Sequence, residues 1–546
     1  MIERIIIMTL LLFSTSCEQS QFADKIYYNG NIWTGNPNRP ITEFIAIKGN
    51  KILAVGNQYT SFQGTDTEMI DLERQFVVPG FMDSHTHFLS GGFQLMSINL
   101  RNVSGKDEFI SQVKDYVNDI PPGQWISGGD WDHEMWGGVL PAKEWIDTFT
   151  QEIPVILSRL DGHMALANSK ALELAGVNKD TPNPPGGIIE RDTQGEPTGI
   201  LRDKAMGLIR PFIPESSAEE MDAALEKSMV HAASLGLTQV HDMCSWDDLE
   251  TYIRNKENLS LRIYALPYYT HWKKHKAYVE ENGFGDDTLR WNGIKAMLDG
   301  SLGSGTAWMH TSYKDDPNTK GLVVSADTLK LRNVLREADE FGIQFAIHAI
   351  GTRANEWILD EFNAIAHEHG ERERRSRVEH AQHLLPKDIL RFYHDDVIAS
   401  MQPAHLYDDA AWAHKRVEDD ILQGTYAFQS LLKCHATLTF GSDWNVATLD
   451  PLMGIYTAVT RRTRDGKNPD GWYANEKISV EDALRCYTIN AAYAGFQEDK
   501  LGSLETGKLA DFVVLSKDLR VIDPEDILNT KVVRTVVDGK DVYVNY

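Results

Sequence analysis

Val77-Val78-Pro79-Gly80-Phe81-Met82-Asp83-Ser84-His85-Thr86-His87 is an apolar run that ends in two histidines two residues apart. Side chains in a strand repeat every two residues, so both imidazoles of such a run point the same way. The first barrel-type strand is read here as 80–87, and seven similar runs follow, at 237–243, 261–268, 294–299, 343–349, 377–382, 397–402 and 437–443. Their spacing suits a strand, a helix and the next strand, which predicts an α/β fold built on a (β/α)8 TIM-type barrel.

The intervening segments carry helical periodicity. Leu331, Val334, Leu335, Ala338 and Phe341 share one face in front of the fifth strand, with Gly342 placed as a stop. Met221, Leu225, Met229 and Ala232 do the same over 217–235. The gap between the first and second strands is too long for a single helix. A subdomain inserted over about 95–212 is therefore expected, and its position after a barrel strand makes it a lid or pocket wall. The segment 24–56 and the C-terminal runs 511–515 and 532–544 are hairpin-rich. The two chain ends are expected to form one small β-sandwich, over 22–79 and 496–546, flanking a barrel over 80–495.

In barrels of this kind the catalytic groups come from the C-terminal ends of several strands. His85 and His87 end the first strand, Lys295 starts the fourth, His348 ends the fifth, His380 the sixth and Asp443 the eighth. Imidazoles with a carboxylate suit zinc and related first-row metals. Lys295 is the unusual member, because an ammonium cannot bind a cation. Burial lowers a lysine pKa, and a neutral amine that takes up carbon dioxide becomes a carbamate able to bridge two metals. The other reading is one metal, with Lys295 paired to Asp299 or another carboxylate.

Composition narrows the function. The 546 residues carry a net charge of −25, which argues against a nucleic-acid partner. Charged residues at 24% and hydrophobic ones at 42% are ordinary for a globular chain. Arg4, the apolar run 5–13 and the small residues before Cys17 resemble a bacterial lipoprotein signal. That implies a signal peptide over 1–17, a lipid-bearing Cys17, and export to the periplasm or cell surface with no other membrane contact. A plain secretory signal or an uncleaved anchor is the alternative. Cys244, Cys434 and Cys486 form no disulfide framework.

The segments Pro79 to His87, Lys295 to Ala307, His348-Ala349-Ile350-Gly351, Arg377 to Gln382, Gly441 to Trp444 and Gly502 to Asp511 together resemble the amidohydrolase superfamily, in its family 3 branch. Gly305 and Thr352 depart from that pattern, where arginine and an acidic residue are common. The resemblance implies hydrolysis of a non-peptide carbon–nitrogen bond in a small-molecule amide, N-formyl or cyclic amide substrate. One or two divalent ions, zinc foremost, would lower the pKa of water and polarise the carbonyl, and Asp443 would bind metal and move the proton. A mononuclear-metal deaminase or ester or lactone hydrolase is the alternative, and a non-catalytic surface binding protein a more distant one; a homodimer is left open.

Similar segments of the family lie near the substrate pocket, which makes Trp131 and His163 candidate contacts, with Arg353 a candidate for a substrate carboxylate. Core packing is the other reading for Trp131 and Trp136, and a surface ion pair for Arg353. His367-Glu368-His369 falls on a charged helix end, where positions two apart do not face each other. His271 and His275 are read as a solvated face because lysines lie between them, and His133-Glu134 lacks the second histidine of a zinc-protease helix.

Overall fold

A computed structural model of the chain describes residues 22–118, 120–159, 164–184, 187–323 and 328–545. The expected signal and lipid-bearing Cys17 lie outside these residues. None of the described helices is long and apolar enough to cross a membrane.

Each of the eight apolar runs coincides with a strand, the fourth starting one residue early: β1 (Phe81–Thr86), β2 (Leu237–Asp242), β3 (Arg262–Ala265), β4 (Gly293–Met297), β5 (Gln344–Ala349), β6 (Arg377–His380), β7 (Ile398–Met401) and β8 (Leu438–Phe440). β1, β2 and β3 pair in parallel, and β4 to β8 form a second parallel sheet in sequence order. Two seams join them. The short strand Leu289–Arg290 pairs with β3 and runs into β4, and Tyr268 then bridges Lys295. At the other seam Thr86 bridges Trp444, and the Asp443 N–H donates to the His85 carbonyl at 2.7 Å. The strands thus follow one another around a TIM-type barrel. Parallel strands covered on both faces read as continuous apolar runs, and every residue of β1 is buried.

Two glycines allow close approach at these joints. A Cβ on Gly80 would lie 2.2 Å from Thr238 Oγ1, and one on Gly441 would lie 2.5 Å from the His85 nitrogen. Helix α1 (Ala218–Ser234) precedes β2, and its Ser217 and Glu220 form a reciprocal capping box. Helix α2 (Thr328–Glu340) buries Leu331, Leu335 and Ala338, and Gly342 at φ +86° turns the chain into β5.

The strand Phe76–Pro79 feeds directly into β1 and pairs antiparallel with Phe512–Leu515, so the chain ends share one six-stranded sheet. A four-stranded sheet of residues 25–71 packs on it through Tyr27, Ile45, Val77, Phe512, Val514 and Val536. Residues 98–203 build a separate six-stranded sheet after β1.

Arg262 of β3 ties the barrel to the terminal sheet. Its guanidinium donates to both oxygens of Asp511, at 2.7 and 3.0 Å, and also reaches Asp538; Arg262 and Asp511 are each 2% exposed in their side chains. Removing one partner leaves a buried charge unpaired, which costs about 3–5 kcal/mol. Arg262→Ala should lower the unfolding free energy by about that amount in urea titration. A change under about 1 kcal/mol would mean the pair does not couple the two parts.

Candidate metal centre

The β1 histidines converge because the strand period aims both rings to one side and Thr86 faces the other way. His85 and His87 each place Nε2 near Asp443 Oδ1, at 3.5 and 3.2 Å. Their tautomers follow from the other ring nitrogen. His87 Nδ1 lies 3.1 Å from the Met243 carbonyl, which can only accept, so Nδ1 carries the proton and Nε2 offers a lone pair. His85 Nδ1 lies 2.6 Å from Glu379 Oε2, with the same result. A carboxylate behind a ligand imidazole is the arrangement that orients histidine at metal sites.

Glu379 also accepts an ion pair from Arg377 Nε at 2.8 Å, and all three side chains are fully buried. Burial alone would raise the Glu379 pKa, but Arg377 and His85 outweigh it and hold the carboxyl down at about 2. Burial pushes His85 down to about 4, helped by Lys295 and opposed by Glu379, so the ring is neutral at pH 7.

Lys295, in β4, is buried with Nζ 3.2 Å from His85 Nε2. Burial lowers its pKa to about 8 against the pull of Glu379 and Asp443. Asp299 does not serve as its partner. That carboxylate instead accepts the backbone N–H groups of Trp308, Ile350 and Gly351 at 2.7–3.0 Å, and it lies 3.4 Å from His348 Nε2.

His348 and His380 end β5 and β6 with ring centroids 4.4 Å apart, and His380 is 4.9 Å from His85. His380, Ala381 and Asp443 all have positive φ. Such backbone in non-glycine residues costs about 1–3 kcal/mol each and gathers at functional sites. For Asp443 burial works upward, but the imidazoles of His85, His87 and His380 prevail and keep it well below the usual carboxylate range.

Donor atoms of His85, His87 and Asp443 lie within 4.8 Å of one another, and so do those of His380, His405 and Asp443. His380 Nδ1 and His405 Nε2 are buried with no hydrogen-bond partner among the described residues. Convergent imidazoles, a depressed carboxylate and unpartnered buried nitrogens fit a divalent cation.

The sequence reading missed His405. It lies four residues past β7, in the short helix Pro403–Asp409, with Nε2 3.7 Å from Asp443 Oδ2. The signal available was a histidine just beyond a barrel strand. Asp83 was also passed over: its Oδ1 accepts from the N–H groups of His85 and Ser442, at 2.9 and 3.0 Å, and braces the β1–β8 seam. The donors floor a cavity of about 470 Å³.

The expected substrate contacts fare differently. Trp131 is not in the cavity: it is fully buried in the core of the inserted sheet and donates to the Leu157 carbonyl at 2.7 Å, because strand alternation turns it inward. Arg353 is a correction too. Helix α3 (Thr352–His369) begins beside it, and its guanidinium pairs with Glu356 one turn on and lies 5.6 Å from the Trp308 ring. His163 lies outside the described residues. Trp136 packs edge-on to Phe109.

His369 ends α3 against Asp339, and His133 accepts from Arg159 at 3.3 Å. His275 is buried rather than solvated, with Nε2 2.6 Å from the Trp291 carbonyl; the flanking lysines point outward while the turn carries His275 in between Trp246 and Trp272. Cys244, Cys434 and Cys486 are all free.

The model of the amidohydrolase family matches residues 68–543. Protein LONG AFTER FAR-RED 3 of Arabidopsis thaliana is 42% identical over 538 residues, which cover 95% of this chain and 92% of that protein. The N-substituted formamide deformylase of Arthrobacter pascens is 27% identical, over 95% and 98% of the two chains. The crystal structure of an uncharacterized metal-dependent hydrolase from Pyrococcus horikoshii superimposes with a TM-score of 0.76 at 27% identity, covering 92% of this chain and 99% of that one.

Replacing Glu379 by Gln removes the charge that orients His85. Metal affinity should fall by about 10–100-fold in a competition titration with a chelating dye. Unchanged affinity would mean that His85 does not depend on Glu379.

Proposed function

The chain belongs to the amidohydrolase family, and on that premise we propose that it hydrolyses a non-peptide carbon–nitrogen bond in an amide, N-formyl or cyclic amide substrate. One observation carries this reading. The Asp443 carboxylate faces His85 and His87 with one oxygen and His405 with the other, on the floor of a cavity large enough for a small molecule. His85, His87, Lys295, His348, His380 and Asp443 would hold the divalent metal, zinc by the character of the donors, and it would supply the Lewis acidity that activates water and polarises a carbonyl.

The chain's own groups do the rest. Asp443 takes the proton of the attacking water and passes it to the leaving nitrogen, which departs as an amine. The carboxylate suits the first half of that task because it is held ionised, and the second because Oδ2 is turned from the β1 histidines toward His405. His85 stays in one tautomer through Glu379 and His87 through the Met243 carbonyl, so neither ring must rearrange during turnover.

Lys295 decides between one ion and two. A lysine of pKa about 8 has a neutral fraction at pH 7 that can add carbon dioxide and lose a proton. The carbamate would supply two oxygens sharing one negative charge, a donor suited to a second ion. An amine left unmodified and hydrogen-bonded to His85 would instead suit the single-metal alternative, a deaminase or an ester or lactone hydrolase. Intact-protein mass after metal and bicarbonate loading separates the two, since the first requires the added mass of one carbon dioxide. Export and lipid anchoring, proposed on residues 1–17, would place this activity outside the cytoplasm.

Asp443→Asn should lower kcat by about 100-fold or more on any substrate turned over, with the circular dichroism spectrum unchanged. Near-normal turnover would remove Asp443 from the proton path.

A further inference from the structure

Beyond the metal donors, the cavity lining has a definite charge character. Met297, Leu302, Ile350 and Trp412 supply apolar surface, and the charged side chains there are Asp408 and Asp409, both acidic. Asp409 Oδ2 accepts from Gln382 Nε2 at 3.0 Å and from the Tyr426 hydroxyl at 2.8 Å, two neutral donors; burial raises its pKa, and His405 and these two hydrogen bonds oppose the rise. Asp408 pairs with the exposed Arg464, at 3.5 Å, where solvent screens the pair.

Among the described residues lining the cavity, Lys295 is the one basic side chain other than histidine, and it belongs to the metal centre. Arg416, behind the loop at Gly303, is engaged by the Gly303 carbonyl and Asp315, and Arg353 is turned to Glu356. The sequence outside the described residues adds no lysine, and no arginine except Arg4. A substrate carboxylate placed beside the scissile bond would therefore enter against two acids, with no lysine or arginine outside the metal centre to meet it. Aspartates that repel one ligand class while apolar surface accepts another are a usual means of discrimination.

We propose that the pocket selects amides of apolar, aromatic-bearing amines, neutral or cationic in the amine arm, and excludes N-acyl amino acids. This rests on the carbon–nitrogen reading above and narrows it. The reaction is R–NH–CO–R′ plus water to R–NH2 and R′–COOH; at neutral pH the amine takes up a proton and the acid loses one. The ammonium product is left beside Asp408 and Asp409, and the R arm lies along Trp412 and Met297.

The test compares metal-loaded protein on N-benzylformamide and on N-formylphenylglycine, which differ by one carboxylate next to the scissile nitrogen. The neutral compound should have the higher kcat/KM by about 100-fold or more. In Asp408→Asn/Asp409→Asn that ratio should fall by about tenfold or more, with Tm as the check on folding. Equal or better turnover of the carboxylate compound overturns the inference and leaves carbon–nitrogen hydrolysis standing. If neither is turned over, the carbon–nitrogen reading fails for these amides, and the wall is read by calorimetry instead. Benzylammonium should then bind more tightly than benzenesulfonate, a poor metal ligand, and the reverse order overturns the inference on its own.

Discussion

The carboxylate of Glu379, fixed between Arg377 and His85 in the barrel interior, is the interaction on which the site depends. A lone buried carboxylate would protonate, and a lone buried arginine would be costly to keep. Together they leave one negative pole behind His85. That pole sets the ring's tautomer, aims its lone pair at the centre, and works against the desolvation of Lys295 next to it. The three residues come from two strands nearly 300 positions apart in the chain, so the pairing also fixes β1 against β6 across the barrel.

Around that axis the strand ends are held by backbone rather than by long side chains. Asp83 receives N–H groups from both sides of the β1–β8 seam, and Asp299 gathers three N–H groups from the turns after β4 and β5. Buried carboxylates used in this way are rigid supports. They allow His380 and Asp443 to keep a strained backbone that a looser frame would relax.

The barrel was legible because its strands are buried on both faces and leave uninterrupted apolar runs in the sequence. The convergence of His85, His87, His380 and Asp443 was legible because they sit at the ends of those runs. His405 was not, since it follows a proline-started helical turn and no periodicity separates it from any solvent-facing histidine. Trp131 and Arg353 were misplaced for local reasons: a strand's alternation decides whether a tryptophan faces core or cavity, and a helix starting at Thr352 turns its second residue away. His275 shows the same limit, because neighbouring lysines report the face of their own positions and not of the one between them. The charge of the cavity wall depends on Asp408, Asp409, Gln382 and Tyr426 meeting in space, which no single segment announces.

The pairing of Phe76–Pro79 with Phe512–Leu515 has a consequence for synthesis. A ribosome releases the chain from its N-terminus, so the strand that leads into β1 is made long before its sheet partner. Until residue 515 has emerged, the apolar edge of Phe76 to Val78 has no neighbour, and the barrel hangs from an unfinished sheet. Contacts of such long sequence separation make folding slow, and an unpaired strand edge is a template for other chains in the meantime. The molecule is thus closed by a strand made long after the one it pairs with, and a product stalled before residue 515 would be a sticky open form rather than a smaller working one.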